Sequence, residues 1–301
     1  MSSFTPRRVF VQLHLLVALL ATTAILGHLI SLPAIHLVVW RTFLAALGAA
    51  FCVTVLSRKS LRLPVRQAAS LLGIGAIVGL HWLCFFGAIK LANISICLAG
   101  MATISLFTAF TEPLLEKRPV RPLEVALGLL VFLGIVVIAG FERGHLAGLG
   151  VALLSALLAA IFPVLNRWQV NHARHDPMLM VAWEMAGACL ICLLGLAVFE
   201  GAPGFAQLVN LQGLDWLWLL LLAWVCTVFA HGFHIHLLRR ISAYTANLAF
   251  NLEPVYGIAA AAVLFGEHKQ LHPGFFAGTA AILLANLLHP LILRRWRKGN
   301  V

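Results

Sequence analysis

The chain has 301 residues, of which 62% are hydrophobic and 10% charged, with a net charge of +11. Soluble domains carry about 25% charged residues, so this composition excludes a soluble globular protein and predicts an all-α membrane protein that crosses the bilayer many times. The positive charge is not a nucleic-acid footprint, because Lys and Arg gather at the ends of apolar runs, where they orient helices in a membrane.

A helix needs about 20 apolar residues to cross the hydrocarbon, and ten runs qualify. The first, 10–30, follows Arg7 and Arg8. The second, 35–56, contains Arg41, and the third, 67–90, holds His81 and Trp82 about fourteen residues in. Asn93 is placed to cap the fourth run, 94–115. The fifth, 122–141, opens on Pro122, and the sixth is 146–170. Asp176-Pro177 supplies a cap and a first-turn Pro for the seventh, 177–199, which contains Glu184. A loop over 200–213 leads to the eighth, 214–238, with His231, His234 and His236 near its end. The ninth, 243–265, carries Glu253-Pro254, and the tenth, 273–293, opens on Pro273.

With the N-terminus inside, seventeen of the 21 Lys and Arg fall on the cytoplasmic side and only Lys90, Arg143 and Lys269 on the other, Arg41 lying within a span. This asymmetry predicts ten membrane helices with both termini cytoplasmic. The six cysteines all lie inside apolar runs, which is not a disulfide framework.

The halves resemble each other. GEHKQLHP (266–273) matches LEKRPVRP (115–122), LRRIS (238–242) matches LANIS (91–95), VAWE (181–184) matches VVWR (38–41), and SALLAA (155–160) matches VALLAT (17–22). The shared order predicts a duplicated five-helix unit, residues 1–145 and 146–301. Five is odd, so the second copy is inverted, an arrangement typical of secondary transporters that hold solute near the midplane.

NLEPVYGIAAAAVLFGEH (251–268) together with GLHWLCFFGAIKLANIS (79–95) resembles the EamA branch of the drug/metabolite transporter superfamily. The resemblance implies a cytoplasmic-membrane carrier, often an exporter of amino acids or related metabolites, working by alternating access around a central cavity. The small multidrug branch relies on an acidic residue in its first helix. This chain has His14 there, so that mechanism does not carry over.

Charged residues inside spans are functional candidates. Arg41 lies six residues from the outer end of its run and Glu184 seven from the inner end of its own, about 10 Å deep from opposite faces at 1.5 Å per residue. Arg41 is expected to receive a solute carboxylate, and Glu184 an amino group or a proton. Glu253 falls near the midplane, and Pro254 frees a backbone carbonyl beside it, which suits a break that lines a wet cavity. Asn247, Asn251 and Tyr256 lie close along the chain, and Glu253 is a candidate proton carrier. Glu112, before Pro113, is nearer the cytoplasmic end. The repeat places the counterpart of Glu253 around 102–106. His81 and Trp82 are candidates for a cavity wall.

These residues predict a secondary transporter of a small organic solute in the inner membrane, with protons as a candidate coupling ion and no cofactor. No nucleotide-binding motif is present. The alternatives are a metal-ion carrier using His231, His234 and His236, and an intramembrane enzyme, for which neither a Ser/His pair nor an HExxH motif is seen.

Overall fold

The computed structural model describes residues 7–299 apart from 118, 121 and 251, and these are all helix and connecting loop. In chain order the helices are α1 (Arg7–Leu29), α2 (Ala34–Phe51), α3 (Val65–Leu91), α4 (Ile94–Met101), α5 (Ile104–Glu116), α6 (Pro122–Phe141) and α7 (Leu146–Trp168). The second half continues with α8 (Pro177–Phe199), α9 (Gly201–Gln207), α10 (Asp215–Leu220), α11 (Ala230–Leu238), α12 (Ala243–Phe250), α13 (Glu253–Phe265) and α14 (Pro273–Gly299).

The boundary signals act as their chemistry predicts. The Asn93 side chain accepts from the Ile96 amide at 2.8 Å and starts α4. Asp176 accepts from the Met178 amide at 2.9 Å and starts α8, with Pro177 in the first turn. Gly266, at φ 68°, closes α13 in the left-handed conformation that glycine adopts without strain. One expectation needs correction. The stretch 200–213, expected as a loop, contains α9, whose first residue, Gly201, has φ 59°.

Among the described residues, seven helical segments are long and apolar enough to cross a membrane, and three shorter apolar helices accompany them. This is a multi-pass membrane protein. Large apolar side chains such as Leu15, Leu194, Phe199 and Val263 stand exposed, which in lipid costs nothing. Wider π-type turns continue α2 (Cys52–Leu56) and α7 (Gln169–Ala173), and a longer one joins α10 to α11 (Leu221–Phe229).

Helix α3 is central and packs on α7 and α8, while α2 also packs on α8. At the α3–α8 crossing, Gly75 faces the backbone of Glu184 and Gly187 faces the backbone of Leu72, closely enough that a Cβ at either would overlap main chain. Small residues allow this approach where no hydrophobic effect drives helices together. Gly187→Ala is therefore expected to cost about 1–3 kcal/mol, read as a lower melting temperature in detergent. Gly150→Ala, whose Cβ meets nothing within 4 Å, should leave it unchanged. The broken fourth and ninth runs cross so that α4 packs on α13 and α5 on α12, and α6 packs on α14.

Candidate functional site

Two helix breaks face each other inside the bundle. The fourth run is interrupted between Met101 and Ile104, the ninth between Phe250 and Glu253. Pro254 explains the second break, since it has no N–H and stands in the first turn of α13. The first lies where the repeat put the counterpart of Glu253. Interrupted backbone at membrane depth is tolerated only where protein or a water-filled cavity satisfies it.

A cavity does lie there, with about 780 Å³ of empty space including its mouth. Met101, Ile104, Phe250, Glu253 and Pro254 line it from the breaks. Leu20 and Thr23 come from α1, Arg41 from α2, and His81, Trp82 and Phe85 from α3. Ala159 and Phe162 come from α7, His231 and His234 from α11, and Asn247 from α12. Both halves of the chain therefore contribute.

Arg41 is 1% exposed. Its Nε donates to Thr227 Oγ1 at 2.8 Å, and its Nη2 reaches the Cys226 carbonyl at 3.5 Å. Both partners belong to the π-type stretch Leu221–Phe229, where Thr227 in turn donates to the carbonyl of Leu222, five residues back. The guanidinium carbon stands 3.7 Å from the Trp82 ring centroid. Nη1 has no hydrogen-bond partner. Half of the planar fork is thus held and half is unoccupied, the arrangement that receives a carboxylate. Glu253 is within electrostatic reach of Arg41, and no hydrogen bond to its carboxyl occurs among the described residues.

His81 is fixed by Ser155. Its Nδ1–H donates to the Ser155 carbonyl at 2.9 Å, and Ser155 Oγ donates back to the His81 carbonyl at 3.0 Å. Nδ1 also lies 2.8 Å from Ser155 Oγ, so Ser155 engages this nitrogen through both its carbonyl and its hydroxyl, and Nε2 is the atom left for the cavity. Asn247 donates from Nδ2 to Thr108 Oγ1 at 2.8 Å, joining α12 to α5, and its Oδ1 is unpartnered.

Glu184 is fully buried and stands behind the cavity wall. Its Oε2 accepts from His231 Nε2 at 2.7 Å and from Asn166 Nδ2 at 3.1 Å. His231 itself lines the cavity, flanked by Trp82 and Phe162 at ring-centroid distances of 6.2 and 5.9 Å.

The structure thus brings Arg41, His81, Trp82, Asn247 and Glu253 to one cavity and connects Glu184 to it through His231. Tyr256 is placed elsewhere. It is 44% exposed beside the exposed Val255, because only the first turn of α13 reaches the cavity. Asn251 lies outside the described residues. Glu112 is buried in α5. The three histidines of the metal alternative do not converge: His231 is bonded to Glu184, His234 packs on Phe250 and His236 stacks on Phe233. Among the described residues no group of three metal-ligating side chains is found. Sequence reasoning missed Thr23, Phe162, Asn166 and Thr227. Nothing in the run 146–170 marked Asn166 as facing inward, and Thr23 offered no signal at all.

Known proteins bear on this geometry. Residues 146–289 match the EamA-like transporter family model. Over 229 residues, 72% of this chain and 74% of the relative, the sequence is 28% identical to a probable amino-acid metabolite efflux pump of Salmonella typhimurium (strain LT2). One solved structure superposes with a TM-score of 0.67 over 96% of this chain and 99% of that one, at 19% identity, which is a likeness of fold.

Proposed function

Since the chain belongs to the EamA-like transporter family, a family of carriers rather than enzymes, we propose that it exports a small zwitterionic metabolite of amino-acid type across the cytoplasmic membrane. The observation that carries this reading is the cavity between the two helix breaks, where Arg41 offers an unoccupied Nη1 and Glu253 a carboxyl to which no hydrogen bond is made among the described residues. The solute's carboxylate goes to Arg41 and its ammonium to the acidic side of the cavity. Leu20, Phe85, Ile104 and Phe162 accept an apolar side chain. The Salmonella relative, named a probable amino-acid metabolite efflux pump, points to the same class and direction.

The mechanism is alternating access by two inverted five-helix halves, 1–145 and 146–301, in a ten-span chain with both termini cytoplasmic. Three pairs of observations support it. Trp40 donates to the carbonyl of Leu208 at 2.8 Å, and Trp183, its match in the repeat, donates to the carbonyl of Leu61 at 3.0 Å. Each reaches the loop that follows the matching helix of the other half. The fourth and ninth runs are both broken near the middle. Helices α4 and α13 pack together, as do their counterparts α12 and α5. The Lys and Arg asymmetry supports the orientation.

The test is efflux. Liposomes holding the purified protein and loaded with a labelled amino-acid mixture should lose label faster than empty liposomes. Glu253→Gln, with an unchanged elution profile in detergent, should slow that loss about tenfold or more, equivalent to at least about 1.4 kcal/mol. Loss no faster than from empty liposomes for every amino acid ends the reading.

A further inference from the structure

The unexplained feature of the site is the buried acid behind it. Glu184 is fully buried, its Oε1 has no partner, and its Oε2 is held by His231 Nε2 and Asn166 Nδ2. Asn166 positions the pair, and its own Oδ1 is also unpartnered. With Glu184 as a carboxylate, an acceptor only, His231 Nε2–H is the donor in the 2.7 Å contact. That leaves His231 Nδ1, which makes no hydrogen bond among the described residues, on a residue that lines the cavity.

The bookkeeping of protons is then simple. With a proton on Nδ1 the pair is imidazolium and carboxylate, and it is neutral overall. When that proton leaves to cavity water, Nε2–H stays on Glu184, a lone pair on Nδ1 points to the cavity, and the pair carries one negative charge. An isolated charge so deep in the bilayer is costly. It is offset by a cation that can also donate a hydrogen bond to Nδ1. A primary ammonium does both, and the rings of Phe162 and Trp82 beside His231 screen that contact from water. Among the described residues, the other titratable or charged groups that face His231 are His234 on the same helix and His81 on α3. Arg41 and Glu253 also line the cavity, within electrostatic reach of each other.

We propose that the Glu184–His231 pair is an exchange site that holds either one proton or one alkylammonium group at His231 Nδ1, and never both. The inference rests on the transport reading for its purpose, but it concerns a site the solute's carboxylate does not touch. It makes amine-bearing solutes and protons mutually exclusive occupants of the cavity.

Isoamylamine and isocaproate serve as probes, one with only an amine and one with only a carboxylate. Purified protein in weakly buffered detergent is mixed with each, and proton release is read with a pH-sensitive dye. Isoamylamine should release about one proton per molecule bound, and isocaproate none. Glu184→Gln and His231→Gln should each abolish the release. Absence of isoamylamine binding to the wild-type protein overturns the proposal, as does binding without release or release that persists in either folded variant. Should both variants fail to fold, nitrogen-resolved NMR of the wild-type histidines decides. One histidine must keep its Nε2 proton while Nδ1 titrates, and isoamylamine must shift that signal. No such histidine overturns the proposal. None of these readings involves transport, so a failed efflux experiment sinks the transport reading alone.

Discussion

Arg41→Ala should weaken binding of a carboxylate-bearing solute by about 30-fold or more, since removing one partner of a desolvated charge pair costs about 2–5 kcal/mol. Titration calorimetry on the purified protein with L-leucine and with isoamylamine separates the cases, because only the first has a carboxylate for Arg41 to hold. Selective loss of L-leucine binding is the expected result. Arg41→Lys should lose nearly as much. An ammonium is a point charge and cannot at once donate to Thr227 Oγ1, lie 3.7 Å over the Trp82 ring and present a second planar N–H to the solute. If both probes weaken equally in Arg41→Ala, the guanidinium is a structural brace between α2 and the Leu221–Phe229 stretch and has no part in recognition.

The second large effect concerns stability. Glu267 is buried, and its carboxylate accepts from the Ile94 amide at 3.0 Å, the Ser95 amide at 2.9 Å and Ser95 Oγ at 2.6 Å. It therefore caps the N-terminus of α4 from the far half of the chain, where the helix dipole favours an anion. Glu267→Ala leaves two buried amides without partners, each costing about 1–3 kcal/mol. The sum, about 2–6 kcal/mol, should lower the melting temperature in detergent by on the order of 10 °C. Lys59→Ala makes the contrast. It breaks the Lys59–Asp176 pair at 2.6 Å, but Lys59 is 58% exposed, and such pairs contribute about 0–1 kcal/mol. An unchanged melting temperature in Glu267→Ala would remove this carboxylate from any role in holding the halves together.

These two residues differ in how much of them could be read in advance. Arg41 was visible because a cation within an apolar run is costly without a purpose. Glu267 was visible only as one letter of a repeat, GEHKQLHP against LEKRPVRP. Nothing local said that its carboxylate reaches a helix start 173 residues earlier. Glu184 shows the intermediate case. Its depth within the run 177–199 is legible in the sequence, but its partner His231 is not, because spacing along α11 reveals which side chains share a face and not what that face meets.

Composition, hydrophobic run length and the placement of Lys, Arg, Pro and Asn determined by themselves that this chain is helical, lies in a membrane, and breaks its ninth run at Pro254. Each of those rests on the solvent and on backbone chemistry within a few residues. Only the tertiary structure decided that Arg41, His81, Asn247, His231 and Glu253 share one cavity, that Tyr256 does not join them, and that Asn166 and Thr227 hold the charged groups in place. The reason is physical: a side chain's role inside a bundle is set by which helix crosses it and at what angle, and that crossing is fixed by glycines such as Gly75 and Gly187 meeting distant backbone.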